Sequence, residues 1–278
     1  MQQIAIIASL KDPAGVNIRA NLIELFDFQI LNERFDGNEV YQNDKIKDSV
    51  VKLYLINDDL IFSDSLDKKI EADVFLFASK HRSKENTKSF AVHSIGNWDE
   101  NEFGGKERAL CKTCAVLVKN LFLELNNFAK YTGYEITLEA THHGPFMEKS
   151  SIFCEIGSTQ DEWQDTLNGE IMAKTIMAAL NNPSNKYKIA IGMGGPHYCN
   201  NFNKVVLRSD IAISHVCPKY MLEKLDEHLI KESIAKTKQK IDFVLLDWKG
   251  LGNQKQRIAD LLKNLKLEIK RTDQVLKD

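Results

Sequence analysis

The sequence contains no long apolar run and no excess of either charge. No stretch approaches the roughly 18 consecutive apolar residues that a membrane-spanning helix requires, so we expect no membrane span. The 37 lysines and arginines nearly balance the 39 aspartates and glutamates, which gives a formal net charge of −2. This balance excludes a globally basic chain, and any nucleic acid must therefore be bound by a local basic face.

Signals for secretion and for disulfide bonding are also scarce. The start of the chain has neither the basic segment nor the small-residue cleavage site of a signal peptide. The five cysteines are an odd number, which is typical of reduced thiols in a cytosolic protein. Cys111 and Cys114 form a lone CxxC, which we interpret as buried apolar side chains rather than a structural zinc site. We therefore expect a cytoplasmic protein.

Apolar runs alternate with helical periodicity along the whole chain. Several runs lack polar residues, which indicates strands covered on both faces. The strand-like runs are Gln3–Leu10, Val50–Ile56, Asp73–Ala78, Tyr134–Ala140, Ser151–Ile156, Tyr187–Met193, Ile211–Ser214 and Ile241–Leu246. Helical patterns begin at Pro13, Leu110, the capping box Thr159–Glu162, Leu222 and Gln254. The alternation predicts a single domain over residues 1–278, in the α/β class, with three α/β/α layers and a mostly parallel or mixed central sheet.

Five of the seven histidines follow predicted strands. They are His81, His142, His143, His197 and His215. In α/β sheets, ligands bind in the crevice outside the carboxyl ends of the strands. We therefore expect all of these histidines except His215 to line one cleft, although a single histidine in a polar loop would need no function.

The adjacent pair His142 and His143 precedes a Gly-Pro turn. Neutral imidazole is a good zinc ligand, and the turn could direct both rings toward one ion. A nearby carboxylate, Glu139 or Glu155, would suit the same ion. These donors predict a Zn2+ site. In the alternative without a metal, one histidine is a general base that a carboxylate positions.

Two turns are candidate sites for a negatively charged group. Gly194 and Gly195 follow a strand, and their backbone N–H groups could approach an oxyanion, although neither nucleotide-binding glycine motif fits. Ser158 and Thr159 precede a capped helix, whose first N–H groups bind anions. An ordinary strand-to-helix turn is the alternative for this second segment.

The loop from residue 80 to residue 88 is rich in cations. Lys80, Arg82, Lys84 and Lys88 stand there against one acid. Such a cluster would attract a phosphate backbone, although many such clusters are only exposed loops. No RNA-binding signature, zinc finger or GxSxG nucleophile motif accompanies it.

Several short motifs occur in a fixed order over the full length of the chain. They are Phe35–Asn38, Ala78–His81, His93–Trp98, Phe103–Lys106, Glu139–Pro145, Glu155–Ser158 with Glu162 and Trp163, Gly192–Tyr198, Pro218–Tyr220 and Asp247–Gly250. Together they resemble the archaeal and plant-type D-aminoacyl-tRNA deacylase family. Lys80 and Pro196 depart from the family pattern, in which arginine and glycine are common, and neither departure removes a candidate catalytic group.

The resemblance implies an enzyme that hydrolyses the ester between a D-amino acid and the terminal ribose of tRNA, as a quality-control step in the cytoplasm. It also implies an α/β/α fold akin to the phosphorylase and peptidyl-tRNA hydrolase folds, and a zinc cofactor. The expected partner is D-aminoacyl-tRNA, with no membrane, and the expected state is a monomer or a weak homo-oligomer.

The local chemistry suggests an attack of water on the ester carbonyl. Zinc held by the donors named above would lower the pKa of water to about 7. His81, His142 or His197 would handle the proton. The backbone of Gly194 and Gly195, or the Lys80 side chain, would face the developing oxyanion.

Substrate binding is expected from Arg82, Lys84, Ser158 and Thr159. Two other functions stay open on the residues alone. The chain could be a zinc-dependent hydrolase of a small amide or ester, or a tRNA-binding protein without catalysis. A tRNA affinity that falls with salt would argue against the first, and hydrolysis of the ester would exclude the second.

Overall fold

Two sheets make up the fold, and helices cover them. The structure is a computed structural model, and it describes residues 1–181 and 186–277. The strands are β1 (Gln2–Ser9), β2 (Gln29–Phe35), β3 (Asn38–Asn43), β4 (Ser49–Ile56), β5 (Val74–His81), β6 (Ser89–Ser94), β7 (Glu135–Leu138), β8 (Ser150–Gly157), β9 (Lys188–Met193), β10 (Ile211–Cys217), β11 (Phe243–Leu246) and β12 (Ile269–Arg271). The helices are α1 (Pro13–Leu25), α2 (Ala115–Ala129), α3 (Gln160–Gln164), α4 (Thr166–Asn181), α5 (Asn200–Arg208), α6 (Glu227–Ala235), α7 (Lys255–Asn264) and α8 (Thr272–Val275).

The larger sheet has the strand order β2-β3-β4-β1-β5-β8-β6-β7. Its central strands β4, β1, β5 and β8 are parallel, whereas β6 pairs with β8, and β3 with β2 and β4, in the antiparallel sense. The smaller sheet, β10-β9-β11-β12, is entirely parallel. These sheets confirm the predicted α/β class. The division into two sheets is not visible in the sequence pattern, because strand partners are chosen by long-range packing.

The continuous apolar runs are explained by burial on both faces. Successive residues of a strand point to opposite sides, so Ile6 and Ile7 of β1 enter different cores. The Ile6 side packs with α1, α2 and α4. The Ile7 side packs beneath two short 3-10 turns, Leu60–Phe62 and Leu66–Lys68. In the second sheet, β9 and β11 contribute to one core with α5 and to another with α6 and α7.

Several predicted helices have different bounds. α2 begins at Ala115 rather than Leu110, because Leu110 forms a β-bridge with Gly96. The helix that follows the capping box stops after five residues at Gln164, and α4 begins separately at Thr166. Among the helices in the described ranges, none combines the length and the apolar character that a membrane span needs.

A buried lysine on α2 joins the end of α5 to the start of β10. Lys119 Nζ donates hydrogen bonds to the backbone oxygens of Val206 at 2.9 Å, Ser209 at 2.6 Å and Ile211 at 2.9 Å. Carbonyl oxygens at the end of a helix lack intrahelical donors, and the Lys119 ammonium group donates hydrogen bonds to them instead. Burial lowers the pKa of Lys119 to about 8, and the negative charge of Asp210 partly opposes this shift.

Lys119→Met is expected to lower the free energy of unfolding by about 1–3 kcal/mol, because it leaves buried carbonyl oxygens without a donor. Denaturant unfolding measures this change. Lys204→Met, at an exposed position of α5, is the matched control and should change stability by no more than about 0.5 kcal/mol. Equal stabilities of the two variants would contradict the role of Lys119.

Candidate active site

A cleft of about 640 Å³ lies at the carboxyl ends of β1 and β5. His81, His142, His143 and His197 line it. The predicted convergence of these four histidines is therefore confirmed. His197 lies in the loop that follows β9 of the smaller sheet. Its carbonyl oxygen accepts a hydrogen bond at 2.8 Å from the N–H of Ala140, which follows β7 of the larger sheet. This bond links the two sheets beside the cleft.

Glu139 lies among these histidines. Its side chain is fully buried, and neither carboxylate oxygen has a hydrogen bond of good geometry within the described residues. His81 Nδ1 lies 3.2 Å from Oε1, while His197 Nε2 and His142 Nε2 lie 3.3 Å and 3.7 Å from Oε2. A buried carboxylate without complete hydrogen bonding is costly, which marks this cluster as a functional site rather than a stabilising one.

A second carboxylate, Glu155, contacts His81 and His93. Its Oε2 lies 3.4 Å from His81 Nδ1 and 3.7 Å from His93 Nε2. Burial lowers the pKa of His81, but Glu155 and Glu139 outweigh this effect and raise the pKa to about 9. Burial also raises the pKa of Glu155, and hydrogen bonds from the two histidines overcome it and hold that pKa below its usual range. At neutral pH, His81 is therefore a cation between two carboxylates.

Three other ring nitrogens are oriented by the backbone. The Nδ1 atoms of His93, His142 and His143 lie 3.1, 2.8 and 2.5 Å from backbone carbonyl oxygens one or two residues away. Because a carbonyl only accepts hydrogen bonds, each Nδ1 carries a proton, and Nε2 is left to bind another group. Burial lowers the pKa of His142 and that of His143, which keeps both rings neutral.

His93 has a different electrostatic environment. Burial lowers its pKa, but the hydrogen bond and charge of Glu155 outweigh burial and raise it. Its Nε2 is buried and has no hydrogen-bond partner of good geometry in the described part of the chain. A positive charge next to this nitrogen, from a proton or from a metal ion, would therefore be stabilised by Glu155.

The residues present fit a zinc ion. The ligand atoms of His93, His142 and His143 lie within 4.8 Å of one another. Zinc is commonly held by imidazoles whose second nitrogen is hydrogen-bonded, as it is in these three. Two other close groups contain a carboxylate. Glu139 lies with His142 and His197, and Glu139 and Glu155 lie with His81, which is a cation.

The predicted ligands His142, His143, Glu139 and Glu155 stay a prediction, and the set above shares two of them. His93 joins His142 and His143, while Glu139 and Glu155 each lie 3.7 Å from one of their Nε2 atoms. His93 is the site residue that the sequence reasoning missed, because it lies inside β6 and not after a strand end. The available signal was its place in the motif His93–Trp98.

The predicted cationic residues lie in different places. Lys80 and Arg82 line the cleft. Lys80 Nζ donates a hydrogen bond to the carbonyl oxygen of Lys11 at 2.8 Å, and the Arg82 guanidinium lies 5.2 Å from the ring centre of Trp163. Lys84 is exposed and does not line the cleft.

The predicted oxyanion glycines and His215 are not among the residues that line the cleft. The N–H of Gly194 donates to the carbonyl oxygen of Cys217 at 2.9 Å, so it is not available to an oxyanion. A side chain on Gly195 would meet Asp247. His215 is buried within β10, where its Nδ1 lies 3.2 Å from Thr141 Oγ1.

The predicted anion site at Ser158 and Thr159 is occupied by local hydrogen bonds. Ser158 Oγ donates to the carbonyl oxygen of Thr87 at 2.6 Å. Thr159 and Glu162 form the predicted capping box, with the N–H of Thr159 3.0 Å from the Glu162 carboxylate. These contacts make the segment a structural turn at the start of α3.

Known proteins resemble this chain over most of its length. A family model described as D-aminoacyl-tRNA deacylase matches residues 68–270. A protein of that name from Pyrococcus furiosus is 36% identical over 260 residues, which are 91% of this chain and 93% of that protein. One from Thermococcus kodakarensis is 38% identical, covering 89% and 92% of the two chains. A crystal structure described as a conserved protein of unknown function has a TM-score of 0.90 at 28% identity, covering 100% of this chain and 98% of that one.

In the chain freed of metal by a chelator, Glu155→Gln is expected to lower the free energy of unfolding at pH 6 by roughly 3 kcal/mol, because it removes a partner of a buried charge. The pKa of His81 is raised from 6.5 to about 9. Its stabilising contribution is therefore complete below the unfolded pKa and is lost as the pH rises through the folded one. Urea unfolding should show a smaller loss at pH 9.5 than at pH 6.

Glu148→Gln is the matched control for that experiment. Its side chain is 61% exposed and pairs with Lys236, so the substitution should change stability by at most about 0.5 kcal/mol at either pH. A loss in Glu155→Gln that does not depend on pH would show that His81 is not the group responsible.

Proposed function

The chain belongs to the D-aminoacyl-tRNA deacylase family, and we propose that it hydrolyses the ester bond of D-aminoacyl-tRNA in the histidine-lined cleft. The products are the free D-amino acid and tRNA. The observation that carries this assignment of the site is the position of Glu139, a buried carboxylate whose two oxygens have three histidine nitrogens within 3.2–3.7 Å.

The proposed zinc ligands are His93, His142 and His143. Their support is the protonated Nδ1 of each ring, which leaves Nε2 to bind the ion. When bound, zinc supplies a Lewis acid that lowers the pKa of the attacking water and polarises the ester. Glu155, 3.7 Å from His93 Nε2, holds a negative charge beside these ligands.

Glu139 is the proposed general base. Its Oε2 lies 3.7 Å from a ligand nitrogen, that of His142, so it is next to the place where water would be activated. His81 and His197 contact its two oxygens and orient the carboxylate. Glu139 takes a proton from the attacking water and returns it to the ribose oxygen that leaves. Lys80 lines the cleft and would face the charge that develops on the ester oxygen.

One assay tests the proposed function directly. Timed release of tyrosine is measured from tRNA charged with D- or with L-tyrosine, with and without a chelator. D-tyrosine should be released at least about a thousandfold faster than L-tyrosine, which requires only about 4 kcal/mol of difference in the transition state. A chelator should slow the reaction. Binding of charged tRNA without release of either amino acid would exclude the enzyme and leave a tRNA-binding protein.

His142→Ala is expected to lower the rate of D-aminoacyl-tRNA hydrolysis by at least about 100-fold. Thermal unfolding, compared with that of the unchanged protein after a chelator has removed metal from both, should be nearly unchanged. Metal content should fall with the rate, because His142 is a proposed ligand. His228→Ala, at an exposed position of α6, is the control and should change neither. Loss of activity with full metal content would assign His142 to proton transfer, and near-native turnover would exclude both roles.

A double substitution of Arg82 and Lys84 by alanine is expected to weaken tRNA binding and to flatten its salt dependence. Each lost phosphate contact should reduce the slope of log affinity against log salt by roughly 0.7–0.9. The control is the same double substitution at Lys263 and Lys266, which are exposed in the final part of the chain. If the slope of log affinity against log salt changes only in the control variant, tRNA is bound by the lysine-rich end of the chain instead.

A further inference from the structure

Two aromatic side chains are exposed on the wall of the cleft. Phe62 is 60% exposed and Phe103 is 61% exposed, and both line the same cleft as the histidines. Isolated apolar side chains are common on protein surfaces, but two aromatic rings beside a polar cluster are typical of a binding surface. The proposed hydrolysis needs neither ring for its chemistry, so their exposure requires another explanation.

The backbone holds these two residues close to the histidines. The carbonyl oxygen of Phe103 accepts a hydrogen bond at 3.0 Å from the N–H of Gly144, which directly follows His143. A Cβ on Gly144 would lie only 2.6 Å from the backbone carbon of Gly104, and one on Gly104 would lie 3.2 Å from the Phe62 ring. Only glycine permits this close packing, so the aromatic wall and the histidine turn form one unit.

Positive charge lies on the same cleft. The contacts of Lys80 and Arg82 are with a carbonyl oxygen and an indole ring. Asp12 accepts hydrogen bonds from Ser79 and from the N–H of Lys80, and its charge interacts with the Lys80 ammonium group. Asp59 pairs with Lys11. Arg82, which forms no ion pair within the described residues, is therefore the cation of this cleft that a phosphate would meet.

A second groove, of about 710 Å³, adjoins the cleft. Lys80 and Arg82 line both of them, and Lys11 and Trp163 line the second. A chain of nucleotides that leaves the cleft past Lys80 and Arg82 would enter this groove. The cleft and groove thus offer aromatic rings at the histidine end and cations along the path away from it.

We propose that Phe62 and Phe103 are the stacking site for the terminal adenine of the single-stranded acceptor end of tRNA, with the preceding phosphates beside Arg82. This inference rests on the proposed function and names residues that hold its substrate. Aromatic stacking combined with a positively charged groove is the usual way in which proteins bind single-stranded nucleic acid. Loss of one stacked base typically weakens binding by about 5- to 150-fold.

The first test measures stacking without catalysis. Uncharged tRNA that carries 2-aminopurine in place of the terminal adenine is titrated with the protein, and stacking quenches its fluorescence. Phe62→Leu with Phe103→Leu keeps apolar surface but removes both rings; it should lose the quenching and weaken binding by about 5- to 150-fold. Tyrosine at both positions should retain both properties. Tyr131→Leu, 89% exposed and outside the cleft, is the control and should resemble the unchanged protein.

The second test compares substrates. The double leucine variant should raise KM for D-tyrosyl-tRNA and D-alanyl-tRNA by the same factor, with kcat within about threefold, because both substrates share the adenine. A loss confined to D-tyrosyl-tRNA would show that the rings hold the amino acid side chain, and would overturn the inference. Undiminished quenching in the leucine variant would overturn it too. An unchanged protein that quenches the probe but hydrolyses no ester would instead refute the proposed function and leave the stacking site standing.

Discussion

The burial of one carboxylate, Glu139, is the constraint on which the candidate site depends. A carboxylate in the interior requires compensating charge or hydrogen bonds, and here histidines from both sheets approach it. His197 reaches it only because the segment after β7 is hydrogen-bonded to the loop that follows β9. The two sheets therefore meet beside Glu139, and His197, which contacts this carboxylate, also lines the cleft.

Such a cluster contributes little to stability, since a buried arrangement of charges seldom exceeds the cost of its desolvation. The apolar cores of the two sheets supply the stability instead. Because the apolar cores supply the stability, the site can contain histidines whose pKa values are shifted in opposite directions. His81 is held as a cation and His142 and His143 as neutral rings, although all three line one cleft.

Residue chemistry and local periodicity were sufficient for a large part of this result. The alternation of apolar runs with helical periodicity predicted the α/β class, the capping box at Thr159 was identified from four residues, and the position of histidines after strands predicted their convergence. The motif order predicted the family, which the comparisons confirm. The roles given to Glu139, Lys80 and the zinc ligands stay predictions.

The sequence by itself determined that His142, His143 and His197 follow strands, because strand and helix periodicities are local properties of the chain. His81 instead is the last residue of β5, and His215 lies within β10. Only the tertiary structure decided which side chains meet. His93 joins His142 because β6 lies antiparallel to β8 and a β-bridge pairs Ile95 with His142. The N–H of Gly194 was predicted to face an oxyanion, yet it donates a hydrogen bond to the carbonyl oxygen of Cys217. Strand partners, and the hydrogen bonds already made by a loop, are long-range outcomes that no local pattern contains.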